Sequence, residues 1–174
     1  MIPVIYIDLD GVLADLHTGV VNFTGDEFPE NHRSALFKEY LPAYVEAEMF
    51  YLQDKMPKAD NLVKYLLGFY NKGLCQLAIL TSSGQFYKPI SRVTDQKKRW
   101  IEKNIPEFSE IPFCTTTSGA DKSILANENA FLLDDYPKNV TQFIAAGGHG
   151  HVYHEDTFND AIESMIKFLE RFEK

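Results

Sequence analysis

The stretch YIDLDGVLAD, residues 6–15, places Asp8, Asp10 and Asp15 around Gly11, directly behind the apolar run Val4, Ile5, Tyr6, Ile7. Carboxylates gathered at one point repel unless a proton or a cation intervenes, and a hard divalent ion with oxygen ligands is the natural intervention. Magnesium suits such a set, because it keeps some of its waters and takes one or two carboxylates together with a phosphate oxygen. A second pair, Asp134 and Asp135 in FLLDDYP, again follows an apolar run. LAILTSS ends a third run in Thr81, Ser82 and Ser83, hydroxyls that suit a phosphate cradle at a helix start. SGADKS supplies Lys122, a cation of the kind a phosphoryl site needs.

Each segment has an ordinary alternative. Asp10-Gly11 also fits a hairpin turn, Asp135 before Pro137 a helix start, the hydroxyls a helix cap, and Lys122 a solvated surface lysine. An EF-hand loop does not fit, since neither its glycine nor its terminal glutamate falls at the required position. Two strand ends with paired aspartates are harder to dismiss together than one.

The elements that must position these groups follow from the alternation of the chain. Short apolar runs at Pro3 to Leu9, Cys75 to Thr81, Ile111 to Thr115, Ala130 to Asp134 and His151 to His154 predict strands. Helix-period segments separate them at Lys58 to Lys72, Val93 to Asn104 and Pro137 to Ala146. Such alternation predicts an α/β fold with a doubly wound parallel sheet, in which ligands bind beyond the carboxyl ends of the strands, where Asp8 and Asp10 fall. A last helix carries Phe158, Ile162, Met165, Leu169 and Phe172 on one stripe, with Thr157 and Asp160 in a capping-box pattern at its start. Residues of about 20–55 break the alternation and predict a small helical insertion, in which Pro42 is expected to open a second short helix.

The whole chain, 174 residues, is one domain's worth, divided into a core of 1–19 and 56–174 and a small helical cap of about 20–55. Hydrophobic residues make up 45% and charged ones 24%, ordinary globular usage. The formal charge of -8 argues against a nucleic-acid polymer as partner, because polymer binding needs clustered Lys and Arg. The two cysteines, Cys75 and Cys114, read as buried free thiols of a reducing compartment. With no basic segment and apolar core at the N-terminus and no run of membrane-spanning length, no membrane partner and a cytoplasmic location are expected. His149, His151 and His154 read as structural or surface residues, since a strand sends His151 and His154 to different faces.

Taken in order, Asp8-Leu9-Asp10-Gly11-Val12, Thr81-Ser82, Lys122 and Asp134-Asp135 resemble the four motifs of the haloacid dehalogenase (HAD) superfamily of phosphohydrolases. Within it, DLDGVLAD, MFYLQDKMPKADNLVKYL, ILTSS, KKRWIEK and FLLDD are similar to the 5'(3')-deoxyribonucleotidases. The resemblance implies a Mg²⁺-dependent 5'-nucleotidase acting on nucleoside monophosphates, deoxy forms in particular, through an aspartyl-phosphate. It implies Asp8 as nucleophile and Asp10 as acid and base, with Asp8, the backbone carbonyl of Asp10 and Asp134 as metal ligands and Asp135 supporting the metal's waters. Thr81, Ser82 and Lys122 would grip the phosphate, and Lys97, three residues before Trp100, would add a second cation. Its alternative is an exposed helix face. Phe37, Phe50 and Tyr51 are candidates to stack on the base, with core packing as their alternative. Ser83 stands where many members have proline, and the cap is short enough that a second subunit in a homodimer would help to close it. Two other readings stay open: the same chemistry on a sugar phosphate or polynucleotide end, and a non-catalytic module that binds a phosphorylated ligand.

Overall fold

The computed structural model describes residues 2–25, 33–84 and 87–172, without the side chains of 33–38. Five parallel strands form one sheet in the order β3-β2-β1-β4-β5, with β1 Val4–Ile7, β2 Gln76–Ser82, β3 Phe113–Thr116, β4 Ala130–Asp134 and β5 His149–Val152. β1 is central and pairs with β2 and β4, so the chain reverses its direction of travel across the sheet beside it. That reversal opens the crevice at the carboxyl ends of β1, β2 and β4.

The strands are apolar on both sides because both faces are covered. Ile5, Ile7, Leu77, Ile79, Phe131 and Leu133 point into the larger core, formed with α4 Ala59–Asn71, α5 Ile90–Asn104 and α7 Phe158–Glu170. Leu80, Ala130 and Leu132 point the other way, onto Phe143 of α6 Pro137–Ala145. The expected stripe of α7 is buried at Phe158, Ile162, Met165 and Leu169. Its capping box is not formed: the Thr157 hydroxyl instead donates to the His154 carbonyl at 3.1 Å, closing the preceding 3-10 turn Glu155–Thr157. Cys75 is buried and its thiol pushed up to about 11 by desolvation, whereas Cys114 is only half-buried; both are free thiols.

The insertion after β1 comprises α1 Leu16–Thr24, α2 Arg33–Glu46 and α3 Met49–Leu52. Pro42 lies inside α2 rather than opening a new helix. Proline there removes one ladder bond, a cost of about 3 kcal/mol. The burial of Leu41, Tyr44 and Val45 against Val20 and Phe50 outweighs it. The break falls later, at Glu48, whose φ of 56° turns the chain into α3. The segments entering and leaving the insertion pair with each other: Asp15 N–H donates to the Asp54 carbonyl at 2.9 Å and Met56 N–H to the Leu13 carbonyl at 2.8 Å. Among the described residues no helix is long and apolar enough to cross a membrane.

Candidate active site

Register brings the acidic motifs together. Ile7 pairs with both Ile79 and Leu133, so the next residues, Asp8 and Asp134, end neighbouring strands, and Asp8 N–H donates to the Leu133 carbonyl at 2.9 Å. After Asp8 the chain coils tightly, with the N–H groups of Leu13 and Ala14 both donating to the Leu9 carbonyl at 2.9 Å. Asp10-Gly11 therefore starts a compact turn at the strand end, not a hairpin between adjacent strands. Gly11 is required there twice. Its φ is +80°, and a Cβ at this position would lie 2.2 Å from Asp135 Oδ2.

One carboxylate oxygen each from Asp8, Asp134 and Asp135 lies within 4.8 Å of the others. Lys122, on the 3-10 segment Gly119–Leu125, sends its ammonium between two of them, 2.7 Å from Asp8 Oδ2 and 2.6 Å from Asp134 Oδ2. The Asp121 carboxylate holds that segment in place by accepting from Ser118 N–H at 2.9 Å and its hydroxyl at 3.0 Å. Far from being solvated, Lys122 is 1% exposed. Burial alone would lower its pKa, but Asp8 and Asp134 outweigh burial and raise it. Burial pushes Asp134 up to about 6, with repulsion from Asp8 adding to the effect and Lys122 opposing it.

The second cation is equally enclosed. Lys97 on α5 is 1% exposed and donates to Asp10 Oδ2 at 2.6 Å, Thr81 Oγ1 at 3.0 Å and the Ser82 carbonyl at 2.5 Å. It thus joins the first acidic motif to the hydroxyl motif, and the exposed-face reading does not hold. Burial raises the pKa of Asp10 against the pull of Lys97, and Asp10 Oδ1 is a buried acceptor with no hydrogen-bond partner among the described residues. Counted as fully ionised, four carboxylates, Asp8, Asp10, Asp134 and Asp135, meet two ammoniums with a formal excess of two negative charges, and protonation of Asp10 would leave one. The all-oxygen donor set fits a hard cation such as magnesium.

With this geometry in view, the comparisons with known proteins decide the family. Residues 2–169 match the family described as "5' nucleotidase, deoxy (Pyrimidine), cytosolic type C protein". The chain belongs to that family. No curated protein matches it significantly. Among solved structures, a HAD-superfamily hydrolase from Ehrlichia chaffeensis aligns with a TM-score of 0.53 at 13% identity, over 97% of this chain and 99% of that one. A hydrolase from Pseudomonas syringae aligns with a TM-score of 0.49 at 12% identity, over 98% and 99%. The first of these likenesses shows a common HAD fold. By its family, this 5'-nucleotidase is a hydrolase of phosphoric monoesters.

The remaining predicted residues of the nucleotidase fall into two groups. Thr81 is buried beside Lys97, and Ser82 Oγ accepts from Gly84 N–H and donates to the Thr117 carbonyl, each at 3.3 Å, at the rim. Ser83 is turned away, its hydroxyl 2.8 Å from that of Thr94. Phe50 is buried with its ring 5.0 Å from the Lys97 ammonium, whereas the Tyr51 ring lies under Arg99 and Lys103, at 4.3 and 4.9 Å, on another face of α5. The side chain of Phe37 lies outside the described residues. The histidines stay apart from the site: His151 Nδ1 is 3.0 Å from Ser164 Oγ, and His149 meets Arg171.

Asn139 escaped sequence reasoning. Its amide donates to Asp134 Oδ1 at 3.1 Å and Oδ2 at 3.0 Å, while Tyr136 N–H donates to Oδ1 at 2.8 Å, which fixes the carboxylate. Asn139 also packs onto Gly119, where a Cβ would lie 2.4 Å from its Oδ1. It therefore links the start of α6 to the segment carrying Lys122. The available signal was its place on the first turn after the Asp-Asp pair, which an ordinary helix residue would share.

Proposed function

We propose that this nucleotidase is a Mg²⁺-dependent phosphomonoesterase of nucleotide metabolism that hydrolyses nucleoside 5'-monophosphates, deoxyribonucleotides in particular, in the cytoplasm. The observation that carries the reading is the meeting of Asp8, Asp134 and Asp135 oxygens within 4.8 Å, with a buried lysine on the first two, in a chain of a family described as 5' nucleotidase, deoxy. The division of labour is a core of 1–19 and 56–174 for the chemistry and a cap of about 20–55 for the leaving group. A cap this small is compatible with closure by a second subunit.

In this mechanism Asp8 attacks phosphorus and the ester P–O bond breaks, forming an aspartyl-phosphate. Asp10 gives its proton to the departing nucleoside oxygen, then takes one from the water that attacks the aspartyl-phosphate and releases inorganic phosphate. The raised pKa of Asp10 favours the protonated form that the first step needs. Thr81, Ser82, Lys122 and Lys97 hold the phosphoryl oxygens, so positioning and charge carry most of the catalysis. Asp8, the Asp10 carbonyl and Asp134 would hold Mg²⁺, with Asp135 supporting its waters, and the ion when bound would supply further positive charge for those oxygens. Phe37, Phe50 and Tyr51 are the candidate base contacts, and Phe50 is favoured by its contact with Lys97.

Phosphate release from nucleoside monophosphates, sugar phosphates and end-phosphorylated oligonucleotides, with and without Mg²⁺, tests the substrate. Equal rates across the panel would remove the nucleotide assignment. Comparison with Asp8→Asn tests the chemistry, and equal turnover by parent and variant would refute the nucleophile.

A further inference from the structure

Helix α5 presents two functions on different faces. Lys97 turns into the site, while Arg92, Gln96, Arg99 and Trp100 face the inserted helices. Arg92 and the Tyr87 hydroxyl each donate to Glu46 Oε1 at 2.6 Å, Gln96 donates to the Val45 carbonyl at 2.8 Å, and Trp100 Nε1 donates to the Gln53 carbonyl at 2.7 Å. Between these anchors lies Glu48, with φ 56° and ψ 30°, the one non-glycine residue at positive φ among the described residues. A residue with a Cβ keeps this left-handed conformation only where its surroundings hold it. Here the grip is a two-pronged one: Arg99 Nη1 and Nη2 reach Glu48 Oε1 and Oε2 at 3.0 and 3.2 Å, and the guanidinium lies 4.3 Å from the Tyr51 ring centroid. Two residues past the turn, Phe50 is buried edge-on to Tyr44 and 5.0 Å from the Lys97 ammonium.

We propose that Arg99 is a positioning residue for substrate recognition: by gripping Glu48 it fixes the left-handed turn between α2 and α3, and so holds Phe50 against Lys97 on the leaving-group side. Arg99 itself touches no reacting atom. The inference rests on the nucleotidase reading for the identity of the leaving group. Its consequence is a division of effects, because the phosphate grip is anchored at the strand ends, Lys122 on Asp8 and Asp134 and Lys97 on Asp10 and Thr81, and only the leaving-group wall depends on Arg99. A lysine would keep the charge but lose the planar fork.

The test uses Arg99→Ala, Glu48→Gly and the charge exchange Glu48→Arg with Arg99→Glu in the full chain. Glycine adopts φ 56° freely, so Glu48→Gly separates loss of the grip from failure to fold. For a deoxynucleoside 5'-monophosphate, both single variants are expected to raise KM by about threefold to fivefold at unchanged kcat, the scale of a well-formed surface pair. Their kcat/KM for acetyl phosphate, which has no base, should stay at the parent value, and the charge exchange should restore part of the nucleotide KM. A readout without substrate comes from Trp100, the chain's single tryptophan, whose indole is bonded to the cap. Acrylamide should quench its emission more in the single variants than in the parent and the exchange variant. Unchanged KM and quenching, equal losses on both substrates, or no rescue by the exchange would each overturn the proposal. If the parent itself shows no advantage for the nucleotide, the substrate reading fails, and quenching alone then decides the grip: unchanged quenching overturns it.

Discussion

Replacing Lys122 by methionine removes the ammonium that separates Asp8 from Asp134 while keeping most of the side-chain volume. The parent places that charge 2.7 and 2.6 Å from two carboxylates, with Lys122 and Asp134 fully enclosed. Breaking a buried pair by deleting one partner costs about 3–5 kcal/mol, because the remaining charge is left uncompensated. In a domain of this size 1 kcal/mol corresponds to roughly 2–4 °C, so the lower figure predicts a fall of roughly 6–12 °C in Tm for the metal-free protein at pH 7.5. Two conditions should shrink the loss. At pH 5 Asp134, already held at about 6 in the parent, takes up a proton and the repulsion disappears. Saturating Mg²⁺ should supply the missing charge and raise the variant's Tm more than the parent's. Turnover should not recover with stability, since losing one charged contact to the transferring group costs about a hundredfold to a thousandfold in kcat. Thermal unfolding in EDTA and in Mg²⁺ at both pH values, paired with phosphate release, measures all four quantities. A Tm within about 2 °C of the parent in EDTA at pH 7.5 would refute the account of Lys122 as the internal counter-charge.

The pH dependence of the metal-free parent has a defined sign. Asp134 stands at about 6 when folded against an ordinary 3.8, so between these values the folded chain binds more protons and stability falls as pH rises, by on the order of 3 kcal/mol from this group, measurable by urea unfolding in EDTA. Asn139→Ala removes both amide bonds to Asp134 and is expected to weaken Mg²⁺ binding by about tenfold to a hundredfold in calorimetric titration. Gly11→Ala forces a Cβ into the Asp135 carboxylate at a left-handed φ, so it should lower stability by at least ~1 kcal/mol in chemical unfolding and displace Asp135, with reduced Mg²⁺ affinity as its second readout.

The sheet and the motifs were legible because strand and helix periods differ and because three of the four chemical groups end apolar runs, Lys122 being placed by its position in the chain between the hydroxyl and acidic clusters. Asp8, Thr81 and Asp134 needed only the strand ends to be found. What escaped was tertiary. Lys97 came from the family resemblance and not from its own pattern, which an exposed helix face would share until α5 is docked across the end of β2, whereas Asn139 went unnoticed, an ordinary first-turn residue until Gly119 lets it approach Asp134. Pro42 shows the opposite failure, a strong local rule overridden by burial of Leu41, Tyr44 and Val45 on the same helix. Aromatic residues were the least legible, since Phe50 and Tyr51 are adjacent in sequence yet one meets Lys97 and the other Arg99.

The two lysines are not redundant. Lys122 is held by Asp8 and Asp134, the end of one strand pair, whereas Lys97 spans Asp10 and Thr81, the end of another. A dianionic phosphoryl group entering between them would draw on both, but at different distances from the scissile bond: Lys122 lies with the carboxylate proposed to attack, and Lys97 with the group proposed to protonate the leaving oxygen. Lys97 is also the cation that α5 ties, through Phe50, to the inserted helices. Movement of those helices would therefore be felt first on the proposed leaving-group side, while Asp8 and Asp134 stay fixed to the strand ends. Such an arrangement allows recognition of the leaving group to vary without disturbing the carboxylates proposed to carry phosphoryl transfer.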